Sequence, residues 1–222
     1  MQFYSKLAIL GTHLASAEWS YQDQPWTGDK NPTGAFCDGA NQSPININTM
    51  ELTPSLEADP ISATEFITEN AHKVEFDATL NAVSDVVTKA HGLKYTFSTP
   101  FGSDKIKCVQ YHCHFNSAEH TINENIIHFG ECHLVCHDAQ FAGLGEALES
   151  GNTDALKVFG FFVQDSDKDN AEVDAMIKFY NGNSTDLKGV KLPLPEDLSS
   201  YYRYDGSLTT PTEKLKKIIF TK

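Results

Sequence analysis

Two short runs, Gln110-Tyr111-His112-Cys113-His114 and Glu131-Cys132-His133-Leu134-Val135, carry the residue types best suited to metal chemistry. His112 and His114 are two apart inside a β-like run. Side chains alternate along a strand, so both rings leave by one face, about 6.5 Å apart at the backbone. The polar stretch Asn123-Glu124-Asn125 can fold the next strand back antiparallel. Neighbouring strands lie about 4.8 Å apart, which lets His133 complete a triangle of imidazoles. Zinc held by three protein ligands keeps its fourth position for water, the catalytic rather than the structural arrangement. Gln110 shares the face of His112 and His114, and Glu131 shares that of His133. Their oxygens can accept a ring N–H, fix the tautomer and tune a metal. A third run, Gly206-Ser207-Leu208-Thr209-Thr210-Pro211, offers a hydroxyl that could steer a zinc-bound hydroxide.

Other histidines compete as ligands. His120 follows Glu119 where the strand ends, and reads as a structural, hydrogen-bonded histidine. His137 has the parity of His133 but lies two residues beyond the pocket residues, at the rim. His13, His91 and His128 have no supporting context.

Short alternating runs set between turn residues must position these groups. Val74-Glu75-Phe76, Tyr95-Thr96-Phe97, Ile106 to Phe115, His133 to Cys136 and Val158 to Val163 read as strands. Phe141 to Leu148 reads as a short helix. Val173, Met176, Ile177 and Tyr180 fall at i, i+3, i+4 and i+7, which predicts one apolar helix face. Asp169 or Asn170 would cap that helix and Gly182 would end it. The expected fold is mainly β (α+β), a large, mostly antiparallel twisted central sheet with a few short peripheral helices.

The 222 residues fit one domain, and 40% hydrophobic against 21% charged residues allow a real core. A net charge of -13 argues against nucleic acid and against an anionic membrane surface as partners. No apolar run is long enough to span a bilayer. Residues 1–17 read as a signal peptide: Lys6, the apolar run Leu7 to Leu14, and the small residues Ala15-Ser16-Ala17. The remaining domain then spans 18–222 and is secreted, with Asn183-Ser184-Thr185 as a glycan acceptor. Five cysteines are an odd number for an oxidising compartment. Cys113 and Cys132 read as small apolar residues on the sheet face opposite the histidines, with a disulfide between neighbouring strands as the open alternative.

Together these residues resemble the α-class carbonic anhydrases, of the secreted type, over most of the chain from Trp19 to Pro211. Gln42-Ser43-Pro44-Ile45-Asn46-Ile47 is similar to the family's N-terminal signature. Asn70-Ala71-His72-Lys73-Val74 is similar to its proton-shuttle segment, with Ala71 where glycine is usual. Gln110 to His114, Ala118-Glu119-His120-Thr121 and Glu131 to Val135 resemble its zinc-binding hairpin, and Tyr204 to Pro211 its threonine loop. The resemblance implies zinc on His112, His114 and His133, with Gln110 and Glu131 orienting His112 and His133. It implies that Thr209 accepts from a zinc-bound hydroxide and donates to Glu119, and that His72 carries the proton out. Val135, Val158 and Leu208 would form the apolar pocket, with Thr210 on its polar side. The implied reaction is reversible hydration of carbon dioxide to bicarbonate and a proton, with weak esterase activity as a by-product.

The chain departs from the family after Pro211. The usual second proline, cysteine and Val-x-Trp strand give way to Thr212-Glu213-Lys214-Leu215-Lys216-Lys217-Ile218-Ile219-Phe220. The resemblance implies that this shortened end lacks the pocket tryptophan and the backbone acceptor for His114. Such an end is also expected to leave a sheet edge open, which invites dimerisation. The alternative function is a non-catalytic relative, an extracellular binding or mineral-matrix protein, suggested by the acidic balance and the altered end.

Overall fold

The computed structural model describes residues 39–53, 92–102, 105–115, 117–127, 129–180, 190–195, 201–209 and 216–221. The expectations for residues 1–17, His72, Val74 to Phe76, Gly182, Asn183 and Thr210 lie outside them.

Six strands form the main sheet: β2 (Gly92–Gly102), β3 (Ile106–Phe115), β6 (Gly130–Asp138), β7 (Leu156–Val163), β8 (Tyr201–Gly206) and β9 (Lys216–Thr221). Their spatial order is β2-β3-β6-β7-β9-β8. All neighbours run antiparallel except β7 and β9. A small second sheet joins β1 (Asn46–Ile47), β4 (Thr121–Ile122) and β5 (Asn125–Ile126). The fold is mainly β, as the alternating runs predict, and β3 matches its expected span of Ile106 to Phe115.

Hydrophobic alternation assigns the two faces of the main sheet. Tyr111 and Cys113 of β3, Cys132, Leu134 and Cys136 of β6, and Phe159 and Phe161 of β7 are buried in one core cluster. Each large side chain sealed there contributes roughly 1.5–3 kcal/mol. Tyr111 adds a hydrogen bond from its hydroxyl to the Pro193 carbonyl, 3.0 Å. The opposite face carries His112, His114, His133, Val135 and Val158. In β3 the register shifts between Cys108 and Gln110. That bulge lets Ile106 and Cys108 join the same core as Tyr111 and Cys113, although the spacing from 108 to 113 is odd.

Two helices are described, α1 (Leu144–Glu149) and α2 (Ala171–Tyr180). Helix α1 starts later than expected. Phe141 precedes it and packs with Leu144 and Leu148 against Ala147, Ala155 and Leu156. Asn170 caps α2 as predicted, its side-chain oxygen accepting from the Val173 N–H at 2.9 Å. The buried face of α2 differs from expectation. Met176 is sealed, and Ala175 and Phe179 flank it on the core. Ile177 is 39% exposed. Residues 175, 176 and 179 also follow helical spacing, so a stripe rotated by one position reaches the sheet instead.

Three further findings change the expectations. Cys113 and Cys132 are not free apolar residues but form a disulfide, and Cys108–Cys136 is a second one. The run after Pro211 does not leave β7 at an open edge. Lys216–Thr221 lies between β7 and β8, with Ile218 opposite Val158 and Phe220 opposite Gly160. The strand-forming residues there are Ile218, Ile219 and Phe220, β-branched and aromatic types suited to a pleated surface. His137 is buried rather than at the rim, with Nδ1 2.8 Å from the Asp138 carbonyl.

Candidate metal centre

Strands β3 and β6 pair with His112 directly opposite His133 and His114 opposite Glu131. Direct partners point to the same face, so the cross-strand pair and the i+2 neighbour bring three imidazoles together. Their ring centroids are 5.2, 4.8 and 5.3 Å apart. His133 Nδ1 is 3.0 Å from His112 Nε2. Ligand atoms of all three residues lie within 4.8 Å of one another. Zinc–nitrogen bonds of 2.0–2.1 Å at tetrahedral angles need donors about 3.3 Å apart.

His114 supplies the sharpest test of fit. Its Nε2 is buried and makes no hydrogen bond, lying 3.5 Å from a Glu119 oxygen. A buried, unsatisfied ring nitrogen is costly unless something coordinates it. Burial, then the neighbouring His133, lowers its pKa from 6.5 to about 3. The ring therefore stays neutral across the physiological range, which is the form that binds metals. The three histidines can hold a metal ion.

Glu131 fixes the tautomer of His133. It is buried, and its Oε1 accepts from His133 Nε2 and from His120 Nδ1, the latter at 2.8 Å. Its Oε2 accepts from the backbone N–H groups of Glu119 and His120 at 3.0 and 2.8 Å. An ionised carboxylate only accepts, so the His133 proton sits on Nε2 and the lone pair on Nδ1 faces His112. Burial pushes the Glu131 carboxyl up. The field of His133 and the hydrogen bonds from both histidines outweigh that, and the pKa ends well below the usual carboxylate range.

His120, Glu131 and His133 also cluster closely enough to suggest a metal site. Their facing atoms already hydrogen-bond one another, so this group works as a brace. The brace continues outward. His120 Nδ1 donates to Glu131, leaving Nε2 to accept from the Tyr204 hydroxyl at 2.6 Å. Tyr204 then accepts from Ser43 Oγ at 2.7 Å, and Ser43 Oγ accepts from the Ser207 N–H at 3.0 Å. The Ser43 N–H donates to Ser207 Oγ at 2.9 Å. His120 is thus structural and hydrogen-bonded, as its context predicts. No local pattern in the sequence marks Tyr204 and Ser43 as positioning residues. They lie 161 positions apart in the chain, and only their occurrence in two separate signature runs hinted at a link.

The remaining expected residues fall as follows. Glu119 is 13% exposed at its side chain, and the Thr209 side chain hydrogen-bonds to it. Burial pushes the Glu119 carboxyl up from 4.5 to about 7, while His133 and the Thr209 hydrogen bond oppose the rise. Val135 and Val158 are buried direct partners across β6 and β7. Leu208 is half-buried beside Thr209, and Gln110 is half-buried two residues before His112. Gly130 starts β6 at φ +151°, and a Cβ there would meet the His114 carbonyl oxygen at 2.2 Å. Glycine is what allows β6 to approach the ligand strand so closely.

Comparison with known proteins agrees with this arrangement. The model of the eukaryotic-type carbonic anhydrase family matches residues 22–221. Carbonic anhydrase 6 of Mus musculus is 28% identical over 212 residues, covering 89% of this chain and 65% of that protein. Carbonic anhydrase 1 of Mus musculus is 26% identical, covering 89% of this chain and 77% of the relative. Carbonic anhydrase 4 of Rattus norvegicus is 27% identical, covering 92% and 70%. The chain thus spans about two thirds to three quarters of the length of these relatives. A family match running through nearly all of the described sheet, together with three imidazoles converging on one face of it, places this chain in the eukaryotic-type carbonic anhydrase family.

Proposed function

We propose that the chain is a secreted zinc enzyme that interconverts carbon dioxide and bicarbonate. The observation that carries this reading is the convergence of His112 Nε2, His133 Nδ1 and the buried, hydrogen-bond-free His114 Nε2. Zinc held there would lower the pKa of a coordinated water to about 7, a value for which carbonic anhydrase is itself the standard example.

The protein groups have separate tasks. Glu131 orients His133, whereas Gln110, expected to do the same for His112, makes no hydrogen bond to the buried Nδ1 of that ring. Thr209 donates its hydroxyl proton to Glu119, which leaves its oxygen only as an acceptor and so fixes the orientation of the attacking oxygen. Val135, Val158 and Leu208 give an uncharged gas an apolar surface and keep bulk water away. Thr210 lines the polar side. His72 moves the released proton to buffer, since imidazole titrates near neutrality. Two disulfides support a secretory route, because such bonds persist in oxidising compartments.

The acidic balance of -13 and the altered run after Pro211 are the features that favour a non-catalytic extracellular relative. Such a relative has no need of an intact donor set, and here all three histidines stand in place. The test joins metal analysis to a stopped-flow hydration assay. One zinc per chain, with hydration abolished by a sulfonamide, is expected. A folded, zinc-loaded protein without hydration activity would sink the enzyme reading.

A further inference from the structure

The face of the sheet behind the three histidines holds an arrangement that zinc catalysis does not require. Cys108 pairs with Cys136 and Cys113 with Cys132, each as direct cross-strand partners on β3 and β6. Both pairs are disulfides, separated by 28 and 19 residues along the chain. All four cysteines belong to the buried core. The second bridge is immediately adjacent to the His112–His133 pair and to the His114–Glu131 pair. The register shift in β3 lies between the two bridges.

We propose that the two disulfides are positioning groups of the metal centre, setting its affinity by locking β3 onto β6. This rests on reading the three histidines as a metal site. A one-residue slip between paired strands turns every side chain to the other face. Here a slip would send His112 and His114 into the core and the cysteines outward. A bulge is the place where such a slip is most readily absorbed, because it already holds one residue out of register. One bridge on each side of it fixes where the extra residue sits.

Loop closure points the same way. Without the bridges, a metal must bring together His112 and His133 and close the chain between them. With Cys113 joined to Cys132, that closure precedes metal binding, and the ion meets a preformed site. Each bridge forms when two thiols lose two protons and two electrons to a disulfide oxidant, such as oxidised glutathione, which leaves as two thiols. The buried sulfurs are then shielded from exchange.

Three proteins decide the proposal: the oxidised wild type, Cys113→Val with Cys132→Val, and Cys108→Val with Cys136→Val. Valine keeps the core apolar. Each is checked by non-reducing peptide mapping, circular dichroism, thermal melting, and zinc affinity against a chromophoric chelator. Expected are the pairs 108–136 and 113–132 in the wild type. The 113/132 variant should stay folded yet bind zinc at least roughly ten-fold more weakly, the scale seen when groups supporting metal ligands are removed. A lower melting point with unchanged zinc affinity would overturn the proposal, and so would other pairings. If the wild type binds zinc and the variants bind it equally, only the clamp fails. If the oxidised wild type binds no zinc, the metal reading fails and takes the clamp with it. If neither variant folds even in excess zinc, the bridges hold the fold rather than the centre, which also overturns the proposal.

Discussion

At the scale of single residues, the centre depends on groups that hold histidines rather than on the histidines alone. Glu131 accepts four hydrogen bonds and is sealed from water. Replacing it with Ala would leave two ring nitrogens and two backbone N–H groups unsatisfied, at about 1–3 kcal/mol for each group left buried. Tyr204→Phe is a gentler probe of the same chain. It removes one hydroxyl that both donates to His120 and accepts from Ser43. A stability loss of about 1–2 kcal/mol in urea titration is expected, with zinc stoichiometry retained. Glu119 makes a prediction about pH. Its carboxyl is raised from 4.5 to about 7 in the fold, so between those values the folded state keeps a proton that the unfolded chain has released. Its contribution to the stability of the metal-free protein is therefore complete below pH 4.5 and lost as pH rises through about 7. Glu119→Gln should remove that slope from a series of denaturation curves taken between these pH values. A slope unchanged by the substitution would contradict the assignment.

At the scale of elements, the sequence was most legible where the repeat was strongest. The period-two pattern from Ile106 to Phe115 gave β3 its bounds and put both its histidines on one face. The cysteines were harder for a physical reason. In a regular strand, positions 108 and 113 face opposite ways. The bulge that reunites them depends on pairing with β6, which no local pattern encodes. Helix α2 shows a related limit. Two overlapping stripes satisfy helical spacing, and only packing chose Ala175, Met176 and Phe179. Met176→Ala should therefore cost about 2–5 kcal/mol, as for other buried large-to-small changes. Ile177→Lys should stay within about 0.5 kcal/mol by thermal melting, as for other exposed sites. Gly130→Ala tests the strand junction. A Cβ at 2.2 Å from the His114 carbonyl oxygen forces β6 away from the ligand strand. Loss of several kcal/mol and weaker zinc binding are expected together, because the clash falls on a residue of the centre.

At the scale of the whole molecule, residues remote in sequence close one site. The signature run around Ser43, the loop at Ser207 and the loop before β4 meet through Tyr204 and His120. Such pairings, more than 160 positions apart, are set by topology, so sequence motifs could mark their members without joining them. The terminal strand gives the same lesson. Its residues differ from the family's usual ones, yet β9 still lies parallel to β7 with Ile218 opposite Val158. Hydrogen bonding along the backbone needs strand-forming residues there, not particular ones. Among the described residues no helix is long and apolar enough to cross a membrane.

X-ray absorption at the zinc edge of the oxidised, zinc-loaded chain tests the central claim most directly. The account predicts three imidazole nitrogens and one exchangeable oxygen, all at about 2.0–2.1 Å, with no sulfur shell. A sulfur contribution near 2.3 Å, or fewer than three imidazoles, would mean that the metal does not sit on His112, His114 and His133.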